Sequence, residues 1–272
     1  MPYSTERCKE IRDRVNEVGI ADTALEYGIS ADSVKRAMRY LYAEEDIPSP
    51  IHNCQLADKR VLVIGDLHCP FDLDGYLDFC IKKYLDHKCN TVVFIGDVID
   101  NHYSSYHETD PDGMGGRDEL DLAIDRLAPY YKAFPDAYVT IGNHDRLVMR
   151  KSMSGNVPKR WIKSYSEVLE TPGWTFTDYV DIDGVQYIHG ENGTARTRSV
   201  MEMCSVVQGH RHTEMYTQWS FGKERSVFGM QVGCGIDGSS YAMGYCRHGK
   251  KPAIGCGIVL NGKTAINEVM EL

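Results

Sequence analysis

The chain has 272 residues, of which 42% are hydrophobic, and a formal net charge of −9, so it has room for one large domain and a small appendage. No run approaches the roughly 18 apolar residues that cross a bilayer, and the polar amino terminus lacks the apolar core of a signal peptide, so we expect a cytoplasmic protein without membrane contact. The acidic balance argues against broad, nonspecific adhesion to nucleic acid, although it does not exclude nucleic acid as a substrate.

Nine cysteines are scattered along the chain without a Cys-x-x-Cys pair. An odd number without a pairing pattern fits a reducing compartment better than a disulfide framework. We therefore expect neither a thiolate zinc site nor a cysteine nucleophile.

Residues 1–45 have apolar side chains at roughly helical spacing, interrupted by Gly28-Ile29-Ser30. This pattern predicts two helices and a turn, with the second helix running from about Ala31 to Tyr42. The basic residues of that second helix are Lys35, Arg36 and Arg39.

This amino-terminal segment resembles a helix-turn-helix, so residues 30–42 could contact DNA. The alternative is a small helical cap that packs on the main domain or on a partner subunit, which would make the protein a homo-oligomer. The sequence leaves both interpretations open.

Residues 46–58 contain two prolines and little periodicity, which predicts a linker before a main domain at residues 59–272. Strands and helices then alternate, which predicts a mainly parallel sheet. The predicted strands are Arg60–Asp66, Thr91–Asp97 and Ala137–Ile141, and the predicted helices are Gly75–His87, with Leu77, Cys80, Ile81 and Leu85 inward, and Glu119–Phe134.

The second half of the chain is richer in strands. Trp174–Ile182 and Val185–His189 flank Asp183-Gly184, which predicts a hairpin. Further strands are predicted at Ser205–Gln208, Met215–Trp219, Ser226–Val232 and Ile258–Leu260. We therefore expect an α/β (α+β) fold, a four-layer αββα sandwich of two sheets with helices outside them, plus the small helical appendage.

Five short clusters of Asp, His and Asn follow apolar stretches, mostly at strand ends. They are Asp66-Leu67-His68, Gly96-Asp97-Val98-Ile99-Asp100, Gly142-Asn143-His144-Asp145, His189-Gly190 and Gly209-His210-Arg211-His212. Strands that stop at such residues bring oxygen and nitrogen ligands to one edge of a sheet. Seven such ligands suit two divalent cations with a shared bridging group, which points to phosphoester hydrolysis.

The five clusters resemble the signature D-x-H, G-D-x-x-D, G-N-H-D/E, H and G-H-x-H of the calcineurin-like metallophosphoesterase superfamily, over roughly residues 60–215. The resemblance implies that one metal ion is bound by Asp66, His68 and His212, and a second by Asn143, His189 and His210. Asp97 would bridge both. This set of oxygen and nitrogen ligands suits Mn²⁺ first, with Fe, Zn²⁺ or Ni²⁺ as alternatives.

The resemblance also implies roles beside the metals. His144 would act as general acid at the leaving-group oxygen while a metal-bridging hydroxide attacks, and Asp145 would orient the His144 ring. Asp100 would contact a histidine or fix the loop, or else cap a turn. Arg146 could clamp a phosphate or be a solvated arginine, and His102 could touch the substrate.

The flanking residues bear on the substrate. Protein serine/threonine phosphatases of this superfamily carry Arg-Gly after the second cluster and Arg-Gly-Asn-His-Glu at the third, whereas this chain has Asn101-His102 and Ile141-Gly142-Asn143-His144-Asp145. Ending the third cluster in Asp resembles the branch with nucleases and nucleotide phosphodiesterases. The whole-chain pattern also resembles phage- or prophage-encoded members, for which the compartment would be the host-cell cytoplasm.

We therefore expect a phosphodiesterase that acts on DNA or RNA, with the amino-terminal helices helping to hold the substrate. The alternative is hydrolysis of a small cyclic nucleotide or dinucleotide, with those helices as an oligomer contact. A third hypothesis, a DNA-binding regulator with an inactive phosphoesterase domain, is disfavoured by the complete ligand set.

Overall fold

The structure is a computed structural model that describes residues 5–18, 20–31, 33–34, 37, 59–106, 113–240 and 251–271. The chain divides into two compact units, Met1–Ile51 and His52–Leu272. The predicted linker at 46–58 and the basic residues Lys35, Arg36 and Arg39 lie outside the described residues. No helix in the described ranges is long and apolar enough to span a membrane.

The first unit is helical, as the spacing of its apolar residues predicts, but the segment before Gly28 forms two helices instead of the one predicted. Helix α1 covers Thr5–Val18, α2 covers Ile20–Glu26, and helical residues resume at Ala31. Gly28 adopts a φ of 65°, the left-handed conformation that glycine reaches without strain, in the turn after α2. The unit has a small core of its own, formed by Cys8, Ile11, Ala24, Val34 and Ala37.

The first sheet of the second unit has six strands in the order β11-β10-β1-β2-β3-β4. Strands β1 to β4 run parallel, which confirms the parallel sheet predicted from the strand–helix alternation, and β10 and β11 pair antiparallel at one edge. The strands are β1 (Arg60–Ile64), β2 (Thr91–Phe94), β3 (Ala137–Thr140), β4 (Trp174–Thr177), β10 (Gly255–Leu260) and β11 (Thr264–Val269).

The second sheet has five strands in the order β5-β6-β7-β9-β8. They are β5 (Tyr179–Ile182), β6 (Val185–Ile188), β7 (Ser205–Gln208), β8 (Tyr216–Phe221) and β9 (Ser226–Gln231). The predicted hairpin is confirmed for β5 and β6, because Ile182 pairs with Val185 across a two-residue turn. Asp183 and Gly184 both have positive φ, at 52° and 74°, as the tightest hairpin turns require.

The strand predicted at Trp174–Ile182 is wrong as a single element. It is two strands in different sheets, since β4 pairs with β3 and β5 pairs with β6. The change of sheet falls at Asp178, a polar residue at a position where the alternation that starts at Trp174 would place an apolar one. Strand β11 was also missed, because its residues are mostly half-buried at an edge.

The helices of the second unit are α3 (Tyr76–Asp86), α4 (Gly116–Ala133), α5 (Leu147–Ser154), α6 (Tyr165–Val168) and α7 (Ala195–Glu202), with short 3₁₀ helices at His102–Ser104 and Lys159–Trp161. The prediction that Leu85 points inward is wrong, since it is 65% exposed. Tyr76 and Cys80, one turn apart, form the buried stripe of α3 instead.

Two hydrophobic cores lie on opposite faces of β1. Leu62 and Ile64 pack in one core with side chains of α3 and α4, including Leu127. Val61 and Val63 pack in the other core with side chains of the second sheet. Helix α7 covers the far face of that sheet, where a Cβ on Gly229 of β9 would come within 2.4 Å of the Ala195 carbonyl oxygen. The layers are helix, sheet, sheet and helix, and the predicted αββα fold is confirmed.

Candidate metal centre

The structure brings all seven predicted metal ligands to one edge of the two sheets. The turns after β1 and β2 carry Asp66, His68 and Asp97, and the turn after β3 carries Asn143. The turns after β6 and β7 supply the rest, which are His189, His210 and His212. The carboxyl ends of parallel strands meet at one edge, so residues far apart in sequence become neighbours.

The first group of candidate ligands comprises Asp66, His68, Asp97 and His212, whose ligand atoms all lie within 4.8 Å of one another. His212 Nε2 lies 3.0 Å from Asp66 Oδ2 and 3.2 Å from His68 Nε2. The three residues that were predicted to bind the first metal are therefore in contact with one another.

The second group comprises Asp97, His189 and His210, also within 4.8 Å. His189 Nε2 lies 3.1 Å from Asp97 Oδ2 and 3.2 Å from His210 Nδ1. The Asn143 side-chain oxygen lies 2.9 Å from the same His189 nitrogen. Asp97 belongs to both groups, which is the position that a bridging carboxylate would need.

The hydrogen-bond pattern shows that a cation fits here. His189 Nδ1 lies 2.9 Å from the Ile95 carbonyl oxygen, which can only accept, so Nδ1 carries a proton. In a neutral ring Nε2 then presents a lone pair to the oxygens of Asn143 and Asp97. Asp66 is 1% exposed, and its Oδ1 has no hydrogen-bond partner among the described residues. A buried carboxylate oxygen without a donor is costly, and a divalent ion would satisfy it.

The backbone of the clusters is strained where the ligands sit. His68, Asp97 and His210 have positive φ values of 52°, 47° and 70°, a region that non-glycine residues rarely occupy. Such conformations cost about 1–3 kcal/mol each and concentrate at functional sites. Gly142, in the third cluster, has no room for a side chain, because a Cβ there would lie 2.1 Å from Asp97 Oδ1.

Without metal, protons on the histidines balance the buried carboxylates. Burial alone would raise the pKa of Asp97, but the positive charge of His189 lowers that pKa well below its ordinary value. Burial alone would lower the pKa of His189, but the negative charges of Asp97 and Asp66 raise that pKa to about 10. A bound dication would replace these protons as the balancing charge.

His144 lies beside the first group, with its ring centroid 4.5 Å from that of His68. Its Nδ1 is 2.7 Å from the backbone oxygen of Asp100 and 3.3 Å from Asp100 Oδ1. Burial opposes protonation, yet the hydrogen bond to Asp100 and the charge of Asp97 raise the pKa of His144 to about 10. The ring is therefore protonated at neutral pH in the metal-free protein.

The predicted role of Asp145 in orienting the His144 ring is wrong. The Asp145 carboxylate accepts hydrogen bonds from the backbone N–H groups of Gly142, Asp97 and Val98, at 2.8, 2.9 and 3.1 Å. Buried backbone N–H groups need acceptors, and this carboxylate ties the third cluster to the second. Burial, followed by the charge of Asp97, raises the pKa of Asp145 to about 7.

Asp100 takes the orienting position instead. Its Oδ1 lies 2.6 Å from His68 Nδ1, in addition to its contacts with His144. Asp100 therefore contacts histidines, which is one of the two roles predicted from the sequence, and it is not merely a turn cap. The signal was its place at the end of the second cluster, but no sequence rule says which ring such a residue reaches.

The two predicted substrate contacts differ in their surroundings. Arg146 pairs with Asp178 at 2.9 Å and also with Glu191, so carboxylates offset its charge, which disfavours the predicted phosphate clamp. His102 lies at the rim, with Nδ1 3.7 Å from Asp100 Oδ2. Its contact with substrate stays a prediction.

The sequence family model described as calcineurin-like phosphoesterase matches residues 59–234. Among solved structures, Vacuolar Protein Sorting 29 from Cryptosporidium parvum is 16% identical with a TM-score of 0.39, covering 78% of this chain and 99% of its own. YfcE, a phosphoesterase from E. coli, is 13% identical with a TM-score of 0.38, covering 78% and 100%. A Vps29 variant from Entamoeba histolytica is 13% identical with a TM-score of 0.35, covering 78% and 99%. No curated protein matches the chain.

Proposed function

The chain belongs to the calcineurin-like phosphoesterase family, and from that premise we propose that it is a two-metal phosphodiesterase that acts on nucleic acid. The observation that carries the proposal is the convergence of seven oxygen and nitrogen ligands at one edge, with Asp97 common to both groups and His144 beside them. This arrangement supports a dinuclear centre with a general acid next to it.

The metal ligands are assigned to two ions. Asp66, His68 and His212 would hold one ion, Asn143, His189 and His210 would hold the other, and Asp97 would contact both. Mn²⁺ is the proposed metal, with Fe, Zn²⁺ or Ni²⁺ as alternatives, because the set contains no thiolate. When bound, two such ions supply Lewis acidity that polarises a phosphate and activates a water.

His144 supplies the proton to the leaving group. Its Nδ1 is held by Asp100, which leaves Nε2 as the ring nitrogen that can reach a substrate oxygen. General acids of this kind contribute roughly 10²- to 10⁴-fold to a rate. Asp100 keeps the ring in place, and Asp145 acts by fixing the backbone of the two clusters.

The charges around the centre support a diester over a monoester. A monoester approaches two negative charges at neutral pH and is commonly held by free arginine, whereas a diester carries one. The nearby Arg146 is paired with two carboxylates, and Arg211 contacts Glu214 at 3.3 Å. Within the described ranges these arginines therefore offer little uncompensated positive charge to a dianion.

A polymer substrate is proposed because the second predicted amino-terminal helix is basic. Lys35, Arg36 and Arg39 would contact backbone phosphates without reading sequence. Changing all three to Glu in the full chain should weaken DNA or RNA binding and flatten its salt dependence. Unchanged binding would leave the helices as a cap or an oligomer contact, which the mass in solution would distinguish.

A small cyclic nucleotide or dinucleotide is the second candidate substrate. It is favoured by a cleft of about 200 Å³ beside His189, which would enclose one part of a small ligand. The disfavoured regulator hypothesis predicts salt-sensitive DNA binding without hydrolysis under any metal.

The test is a screen of the full chain with Mn²⁺, Fe²⁺, Zn²⁺ or Ni²⁺ against DNA, RNA, cyclic nucleotides, a bis-aryl phosphodiester and an aryl phosphomonoester. We expect cleavage of a polymer and of the bis-aryl diester, with slower turnover of the monoester. Turnover of a cyclic nucleotide without polymer cleavage would select the second candidate. Preferential turnover of the monoester would contradict the diester assignment.

A further inference from the structure

A cleft of about 200 Å³ opens beside the metal centre, on the side of His189. Ile141 and Ile188 contribute an apolar wall, and the lining also includes four charged side chains, namely Arg146, Asp178, Glu191 and Arg198. Pockets for drug-sized ligands measure roughly 300–1,000 Å³. This cleft therefore has room for one sugar or one base.

The charges of the cleft cancel. Arg146 pairs with both Asp178 and Glu191, while Arg198 donates to the Asn192 carbonyl oxygen at 3.2 Å and to Glu202 at 2.8 Å. A second phosphate would gain little from such a surface, because every positive charge already faces oxygen acceptors. The ligand that fits is uncharged.

Hydrogen-bonding capacity nevertheless remains in the cleft. Asp178 and Glu191 are partly exposed, at 76% and 37%, so their carboxylates can accept further hydrogen bonds. Exposed carboxylate acceptors suit hydroxyl groups, which can donate hydrogen bonds to them.

We infer that this cleft binds the sugar of the nucleoside attached to the scissile phosphate, and that Glu191 and Asp178 set a preference for nucleoside esters. The inference rests on the proposed phosphodiesterase function and names a specificity subsite for it. His189 belongs both to the candidate metal centre and to the cleft wall. A phosphate at the metals would therefore place one ester substituent at the mouth of the cleft.

The test compares two phosphodiesters with the same leaving group, the p-nitrophenyl ester of thymidine 5′-monophosphate and bis(p-nitrophenyl) phosphate. With the Mn²⁺-loaded full chain, kcat/KM should be higher for the nucleoside ester. Glu191→Gln and Asp178→Asn should each lower the ratio of the two kcat/KM values about 5- to 10-fold, mainly through KM. The matched control is Glu224→Gln, which makes the same change from carboxylate to amide at an exposed residue in the turn between β8 and β9. It should leave the ratio unchanged.

The ratio is insensitive to partial unfolding, because both substrates report on the same active molecules. A ratio unchanged in both cleft variants would overturn the inference. If neither ester is hydrolysed, the proposed function fails by itself. The subsite is then tested by calorimetric titration of thymidine 5′-monophosphate into the metal-loaded chain. Binding weakened by Glu191→Gln supports the subsite, and binding that is absent or insensitive to this change rejects it.

Discussion

At the scale of single residues, one carboxylate serves two imidazoles. Asp100 Oδ1 lies 2.6 Å from Nδ1 of the candidate metal ligand His68 and 3.3 Å from Nδ1 of His144. Each contact leaves the opposite ring nitrogen directed away from Asp100, and His68 Nε2 lies 3.2 Å from the candidate ligand atom His212 Nε2. Asp100 thereby couples the metal centre to the proposed acid.

Replacing Asp100 by Asn should lower Mn²⁺ affinity or phosphodiesterase activity about 10- to 100-fold, since orienting partners of metal ligands have effects of this size. Calorimetric Mn²⁺ titration and steady-state kinetics measure the two effects. Asp78→Asn on the exposed face of α3 is the matched control. If Asp100→Asn behaves like that control, Asp100 has no orienting role.

Replacing His144 by Asn should lower the rate about 10²- to 10⁴-fold on a nucleic acid, whose leaving alkoxide needs a proton. The loss should be smaller on a p-nitrophenyl ester, because p-nitrophenolate is a stable leaving group. Bound metal per chain should not change. Equal losses on both substrates would show that His144 is not the acid.

At the scale of elements, the start of α4 holds the loop that follows the second cluster. Glu119 is 1% exposed and accepts the backbone N–H groups of His102 and Tyr103, at 2.6 and 3.1 Å. A carboxylate at the amino end of the 3₁₀ helix His102–Ser104 accepts two of the backbone N–H groups that such a helix end leaves free of helical hydrogen bonds. Glu119, which is not one of the candidate metal ligands, thereby anchors the loop that follows Asp100.

Glu119→Ala should lower the free energy of unfolding by about 1–3 kcal/mol, because two backbone donors lose their acceptor. Urea unfolding measures the change. Glu119→Gln retains one acceptor oxygen and should cost less. Equal effects of the two substitutions would mean that packing, rather than hydrogen bonding, explains the role of Glu119.

The stability contribution of Glu119 should also depend on pH. Burial raises the pKa of Glu119 in the folded protein. Its contribution is therefore complete below the unfolded pKa and is lost as pH rises through the folded pKa. The free energy of unfolding of the wild type relative to Glu119→Gln should fall as pH rises above about 4.3, the pKa of Glu in an unfolded chain. A relative stability that rises with pH instead would show that folding lowers that pKa.

The sequence predicts the elements that carry the ligands better than the contacts between them. Strands β1 to β3 each end just before a cluster, so an apolar stretch followed by Asp or Asn was sufficient to locate them. The sequence could not show that the chain changes sheets at Asp178, because a pattern of apolar and polar residues does not identify the strand with which a segment pairs. Nor could the sequence show where the Asp145 carboxylate lies, because the backbone N–H groups of Asp97 and Val98, which help to hold it, are distant in sequence.

At the scale of the whole molecule, the candidate metal centre requires both sheets. The ligands after β1, β2 and β3 come from the first sheet, and those after β6 and β7 come from the second. The cores on either face of β1 fix the separation of these turns. The site therefore exists only when the second unit is folded, and metal binding should report on the integrity of the whole αββα sandwich.

The decisive measurement is the rate of bis(p-nitrophenyl) phosphate hydrolysis as a function of Mn²⁺ bound per chain. Metal-stripped protein should be inactive, and the rate should rise until two ions are bound and then level off. Asp97→Asn should lose both the two-ion stoichiometry and the activity, since Asp97 contacts both groups. Hydrolysis that persists without bound metal, or full metal binding without hydrolysis, would contradict a two-metal phosphodiesterase.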